Sequence, residues 1–199
     1  MVQIHQPMIT LGIDIGSSSI KVSLFDASKG KSLASASYPP DEMRIVSVQA
    51  GWAEQEPDEW MRNLMHAIAL LKQDHATTLK QVQAIGITYQ MHGLVLVNQR
   101  GLPLRPSIIW CDSRAVSIGQ QAFNALTPAF CLKHLLNSPG NFTASKLAWV
   151  RQHEPETYQK AYKFMLPGDY IAFKLTNQLL TTASGLSEGV FWDFERQSV

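Results

Sequence analysis

The chain has 199 residues, 45% of them hydrophobic and 17% charged, with a formal net charge of +1. That size supports one sizeable core, or one domain with a small appendage, and the composition is that of a globular and not a disordered chain. No block of like charge occurs, which argues against nucleic-acid binding through a basic face.

No apolar run approaches the ~20 residues needed to span a bilayer. Met1–Pro7 lacks the charged-then-apolar layout of a signal peptide. The two cysteines, Cys111 and Cys131, form neither a disulfide framework nor a metal knuckle. They fit a reducing cytosol, so the expected location is cytoplasmic, with no membrane partner.

After an N-terminal extension over 1–8, residues 9–15, 19–26 and 31–38 read as three consecutive strands. Their short connections predict a meander, closed by Pro39 and Pro40 because proline cannot donate to a ladder. The first turn is Asp14-Ile15-Gly16-Ser17-Ser18-Ser19. It is small and rich in N–H and hydroxyl donors, and an acid stands at its mouth. Such a turn can wrap a phosphate, with the acid holding a metal or its water. The same spacing also suits an ordinary hairpin.

Residues 41–56 read as irregular. A long helix follows from Pro57, with Asp58 and Glu59 in its first turn, where acids complement the helix dipole. Trp60, Leu64, Ile68 and Leu71 recur at helical spacing, with Met61 and Met65 broadening the stripe, which reads as core. Strands are predicted at 82–88, 94–97 and 107–110. Helices are predicted at about 114–124, 128–136, 143–153, 155–163 and 167–175. Asp169 is placed as a cap or first-turn acid of the last of these. Residues 179–194 read as one or two strands joined by Gly185 and Gly189. The order implies an α/β fold, a mixed sheet with helices packed against it.

Three polar clusters follow predicted strands, where open α/β sheets bind ligands. They are Asp14 to Ser19, Gln90 to Gly93, and Trp110 to Arg114. Gln90, His92, Asp112 and Arg114 supply the donors and acceptors that a polyhydroxylated ligand needs. Met91 and Trp110 can floor a carbon chain. Each residue also has a bland role: His92 as a structural histidine, Asp112 and Arg114 as a surface pair or cap. The six histidines lack paired metal-ligand spacing, and no Gly-x-Ser-x-Gly elbow is present.

These clusters resemble the N-terminal part of the FGGY carbohydrate kinases, and most closely the xylulokinase branch. Gly12-Ile13-Asp14-Ile15-Gly16-Ser17-Ser18-Ser19 resembles that family's first phosphate loop. Gly51-Trp52-Ala53-Glu54-Gln55, with Pro57 and Trp60, is similar to the segment before its first long helix. Gln90-Met91-His92-Gly93 is similar to its sugar-contacting motif, and Trp110-Cys111-Asp112-Ser113-Arg114 to its Trp-x-Asp-x-Arg stretch. One departure is Thr181-Thr182, where the family commonly has Asp one residue after Ser or Thr.

The resemblance implies a ribonuclease H-like (actin-like ATPase) domain and ATP-dependent phosphorylation of a ketopentose such as D-xylulose to its 5-phosphate. The same resemblance leaves room for ribulose, fuculose, gluconate or glycerol as the substrate. It implies Mg²⁺ near Asp14, the transferred phosphoryl near Gly16, Ser17 and Ser18, and sugar contacts from Gln90, Met91, His92, Trp110, Asp112 and Arg114. It makes 9–199 the sugar-binding lobe, with the general base, second phosphate loop and adenine pocket on a C-terminal lobe beyond it. The expected partners are therefore the sugar, ATP and that second lobe, with a homodimer as a further option. The competing readings are a non-catalytic sugar-binding or regulatory module and a different actin-like ATPase.

Overall fold

The computed structural model describes residues 8–199, so residues 1–7 of the expected extension lie outside the described residues. In chain order the elements are β1 (Ile9–Ile15), β2 (Ile20–Asp26), β3 (Lys31–Tyr38), β4 (Glu54–Gln55), α1 (Pro57–Leu79), β5 (Val82–Tyr89), β6 (Val95–Val97), β7 (Ser107–Ile108), α2 (Val116–Leu126), α3 (Pro128–Phe130) running into a π-helical turn at Cys131–Leu135, α4 (Thr143–His153), α5 (Pro155–Lys160), β8 (Lys163–Met165), α6 (Pro167–Thr176) and α7 (Ala183–Glu188). They fall into two compact units. One comprises the chain up to Arg44 together with Asp58–Tyr89, the other Ile45–Pro57 together with Gln90–Val199.

The first unit holds a four-stranded mixed sheet in the order β3-β2-β1-β5. β1 runs antiparallel to β2, and β2 to β3, as the short connections require; β5 returns parallel to β1 after α1. The period-2 pattern sets the faces. Ile9, Leu11, Ile13 and Ile15 of β1 are buried, as are Ile20, Val22 and Leu24 of β2, whereas Asp14 emerges on the opposite face. In α1, Trp60, Leu64, Ala67 and Leu71 form the buried stripe, and Tyr38 at the end of β3 stacks on His66. Met65, expected in that stripe, is 51% exposed. At ~100° per residue it lies about 140° round the helix from Trp60, and Ala67 takes the buried position instead.

The second unit has two antiparallel two-stranded ladders, β4 with β7 and β6 with β8. The strands predicted at 94–97 and 107–110 therefore stand outside the mixed sheet. They shorten to three and two residues, all of them buried. Leu94, Leu96, Ile108, Ala115, Trp149 and Val150 form that core, flanked by Trp52 and Leu147.

Two further differences stand out. Residues 179–194 contain α7 and not the predicted strands: the Thr182 hydroxyl accepts from the Gly185 N–H at 3.0 Å and caps a helical turn. β8 emerges where the predicted 155–163 helix ends. Asp169 sits in the first turn of α6, where its Oδ2 accepts from the Leu166 N–H at 3.4 Å and from the Thr181 hydroxyl at 3.0 Å. Burial pushes its carboxyl above the ordinary value. Among the described residues, no helix is long and apolar enough to cross a membrane.

Candidate functional site

The phosphate-type turn belongs to the first unit. β1 delivers Asp14 to its exposed face, and Oδ1 accepts from the Thr88 hydroxyl of β5 at 3.0 Å. The second carboxylate oxygen is left for another partner. The Gly16 N–H is spent inside the turn, donating to Ser19 O at 3.2 Å. A side chain at position 16 would bring its Cβ to 2.8 Å from that same oxygen, so the tight turn requires glycine. Ser18 is exposed at the apex and Ser17 half-buried beside it. An open cleft of about 560 Å³ lies along this sheet face, lined by Asp14, Lys21, Ser23 and Thr88 with Gly12 and Gly86. No cluster of three or more His, Cys, Asp or Glu able to cage a metal occurs among the described residues. Asp14 alone suits Mg²⁺, which keeps its waters and takes one carboxylate plus substrate phosphates.

The other predicted site residues belong to the second unit. Leu94 donates to Ile108 O at 2.9 Å across an antiparallel bridge, so the Gln90–Gly93 turn and the run from Ile109 meet at one end of it. Gln90 is buried, and its amide donates to Gln55 Oε1 at 3.1 Å. Met91 and Trp110 are 55% and 50% exposed, two large apolar side chains standing out of a segment whose neighbours Leu94, Ile108 and Ile109 are buried. His92 has φ 59°, the left-handed region, at a cost of about 1–2 kcal/mol for a residue with a Cβ. Gly93 lets the chain pass α6: a Cβ there would come within 2.5 Å of Pro167 Cγ.

Asp112 and Arg114 are not a surface pair. Asp112 is 0% exposed. Its Oδ1 accepts from the Arg114 backbone N–H and Nε, both at 2.9 Å. Its Oδ2 accepts from the Ala53 N–H and from Arg114 Nη2, each at 2.6 Å. Arg114 also reaches Glu54 Oε1 at 2.7 Å, and its guanidinium lies 3.7 Å from the centre of the Trp52 ring and 5.0 Å from that of Trp149. Glu54 in turn meets Arg105 at 2.5 Å, and Arg105 meets Glu154 at 3.1 Å. Every lone pair of Asp112 is thus committed within the protein.

Two residues that the sequence did not single out bear on His92. Glu188, the last residue of α7, accepts the His92 backbone N–H with Oε1, and the same oxygen lies 3.0 Å from His92 Nδ1. Lys146 of α4 donates from Nζ to His92 O at 2.7 Å. It is fully buried, on the helix face that carries Trp149 and Val150, and a lysine on an apolar stripe was the available signal. Glu188 gave no such signal, because its segment read as strand. Burial pushes the Lys146 ammonium down to about 8, against the pull of Asp112, Cys111 and Glu188. An unfolded lysine titrates at ~10.4, so between about 8 and that value the unfolded chain binds more protons and the contribution of this group to stability rises with pH. Urea midpoints across that window are expected to carry the rising component in the parent chain and to lack it in Lys146→Met; equal slopes would refute it.

A separate cavity of about 250 Å³, lined by Phe164, Leu180, Phe191 and Asp169, holds none of the predicted phosphate or sugar residues. Cys111 is exposed, Cys131 is buried, and both thiols are free.

The sequence profile of the FGGY family of carbohydrate kinases, N-terminal domain, matches residues 9–198. Xylulose kinase of Bacillus subtilis is 35% identical over 181 residues, covering 87% of this chain and 34% of the relative. Among solved structures, a xyloylose kinase from Brucella ovis superposes with a TM-score of 0.87 at 29% identity, covering 96% of this chain and 38% of that one. Xylulose kinase from Rhodospirillum rubrum does so with a TM-score of 0.81 at 27% identity, covering 95% of this chain and 38% of that one. The chain therefore spans about a third of the length of the curated relatives it matches. Its mixed α/β architecture is that of the actin-like sugar kinases, and the chain belongs to the FGGY family of carbohydrate kinases.

Proposed function

We propose that residues 9–199 form the sugar-binding lobe of an ATP-dependent kinase that phosphorylates a ketopentose such as D-xylulose to its 5-phosphate. The observation that carries this reading is the Gln90–Gly93 turn. A strained histidine is held there by a buried lysine and a half-buried glutamate, beside an exposed methionine, with an exposed tryptophan on the adjoining run. Strain of this kind persists where the surrounding structure over-determines it, as at ligand sites. Gln90, Met91 and His92 would take the sugar from one segment and Trp110 from the other. Asp112 and Arg114 would act on the sugar through the backbone they brace, since both Asp112 oxygens and Arg114 Nε and Nη2 are taken up within the protein and Arg114 Nη1 is buried.

Asp14 would hold Mg²⁺ through its uncommitted oxygen, and Gly16, Ser17 and Ser18 would lie near the transferred phosphoryl. The metal supplies neutralisation of phosphate charge, which together with positioning is most of what phosphoryl transfer requires. The general base and adenine pocket would come from a second lobe. The N-terminal extension and cytoplasmic location belong to the same reading.

The test is calorimetry of the 199-residue chain with D-xylulose, D-ribulose, gluconate, glycerol and Mg²⁺–ATP, paired with an assay for sugar phosphate. D-xylulose is expected to give the largest sugar affinity, without turnover from this polypeptide alone. Binding of nucleotide with no response to any sugar would favour a different actin-like ATPase. Sugar phosphate produced at an enzyme-like rate would overturn the two-lobe reading.

A further inference from the structure

Glu188 lies 96 residues from His92 in sequence, and Lys146 lies 54 away. They grip opposite sides of the same residue. The Glu188 carboxylate takes the His92 N–H, the Lys146 ammonium donates to the His92 carbonyl at 2.7 Å, and Phe142 packs against the ring at 4.2 Å and 72°. Both polar groups of a left-handed residue are thereby held by side chains from two separate helices. The position of Glu188 has no local cause: it ends a short helix, where an acid opposes the helix dipole.

Its second contact concerns the ring. Nδ1 is buried and lies 3.0 Å from Glu188 Oε1, outside a straight hydrogen bond. An unprotonated Nδ1 would face that oxygen lone pair to lone pair, so the carboxylate favours the tautomer with the proton on Nδ1. Nε2 is then an acceptor.

We propose that Glu188 and Lys146 are positioning residues that fix His92 in its left-handed conformation and in the Nδ1–H tautomer, so that Nε2 accepts a hydrogen bond from a sugar hydroxyl. The contact reads a hydroxyl donor, and a carbonyl oxygen at that place would leave Nε2 without a partner. This inference rests on the reading that the Gln90–Gly93 turn faces the sugar.

The experiment is long-range ¹H–¹⁵N spectroscopy of His92 in the ¹⁵N-histidine-labelled chain, at a pH where the ring is neutral. It is run beside D-xylulose calorimetry on the parent, Glu188→Ala and Glu188→Gln chains. The parent is expected to show the Nδ1–H tautomer. Glu188→Ala is expected to shift toward the Nε2–H form and to lose about tenfold or more in D-xylulose affinity. Glu188→Gln keeps an amide oxygen that can accept from both donors, so it is expected to restore the tautomer and most of the affinity. An Nε2–H tautomer in the parent, or a folded Glu188→Ala chain that binds D-xylulose as the parent does, would overturn the proposal. A chain that shows the tautomer and its loss in Glu188→Ala, yet binds no D-xylulose, would retain the clamp and instead sink the sugar-binding reading.

Discussion

Arg114→Ala is expected to destabilise the chain by about 3–5 kcal/mol, the cost of breaking a buried ion pair by removing one partner. The side chain is 1% exposed and lies against Asp112, which is 0% exposed, and against Glu54. Without the guanidinium, Asp112 keeps only the Ala53 N–H at 2.6 Å and the backbone N–H of residue 114 at 2.9 Å for a full buried charge. Glu54 retains Arg105 at 2.5 Å, so Asp112 carries most of the penalty. The cation over the Trp52 and Trp149 rings is lost as well; Trp149 belongs to the core of the second unit and Trp52 packs against it. A loss of this size is a large share of ordinary domain stability. Arg114→Lys retains the charge but not the planar fork that meets two carboxylates, and it is expected to fall between the two. Urea denaturation followed by tryptophan fluorescence measures both variants; a loss under about 1 kcal/mol for Arg114→Ala would show that the network is not holding this unit together.

Trp110→Ala is expected to do the opposite, leaving stability within about 0.5 kcal/mol while weakening D-xylulose binding by roughly 10- to 70-fold. The ring is 50% exposed, so its removal opens little of the core. A tryptophan presents about 150–250 Å² of surface. A sugar covering about 50–100 Å² of the exposed part at ~25 cal/mol per Å² gives about 1.2–2.5 kcal/mol, which is the stated range of affinity. Calorimetry beside a thermal melt separates the two effects. A Trp110→Ala chain that melts far below the parent would make the ring a structural element, and one that binds D-xylulose unchanged would remove it from the sugar site. The pair of substitutions thus separates two expected roles four residues apart: a sugar contact at Trp110 and a brace at Arg114.

The sequence by itself determined the elements whose causes are local. The β1–β3 meander follows from alternation of apolar residues and short turns, and its boundaries match the prediction to within a residue. α1 follows from Pro57, first-turn acids and an apolar stripe. The tight, donor-rich turn over Asp14 to Ser19 with an acid at its mouth was also legible; that position 16 requires glycine and that Asp14 emerges on the exposed sheet face came from the structure. The motifs at Gln90–Gly93 and Trp110–Arg114 identified the family without any fold.

What only the tertiary structure decided depends on partners remote in sequence. Asp112 and Arg114 look alike as surface or ligand-facing charges until Ala53, Glu54 and two tryptophans close around them. The short ladders β4–β7 and β6–β8 arise because three- and two-residue strands take their place from the core that surrounds them, and local propensity does not extend them. Residues 179–194 read as strand from composition, yet within them Ala183–Glu188 form a helix capped by the Thr182 hydroxyl and ending on Glu188. That turn of helix brings a carboxylate to His92 from 96 residues away. Periodicity records which face of an element is buried; it holds no record of which distant side chain will meet it there.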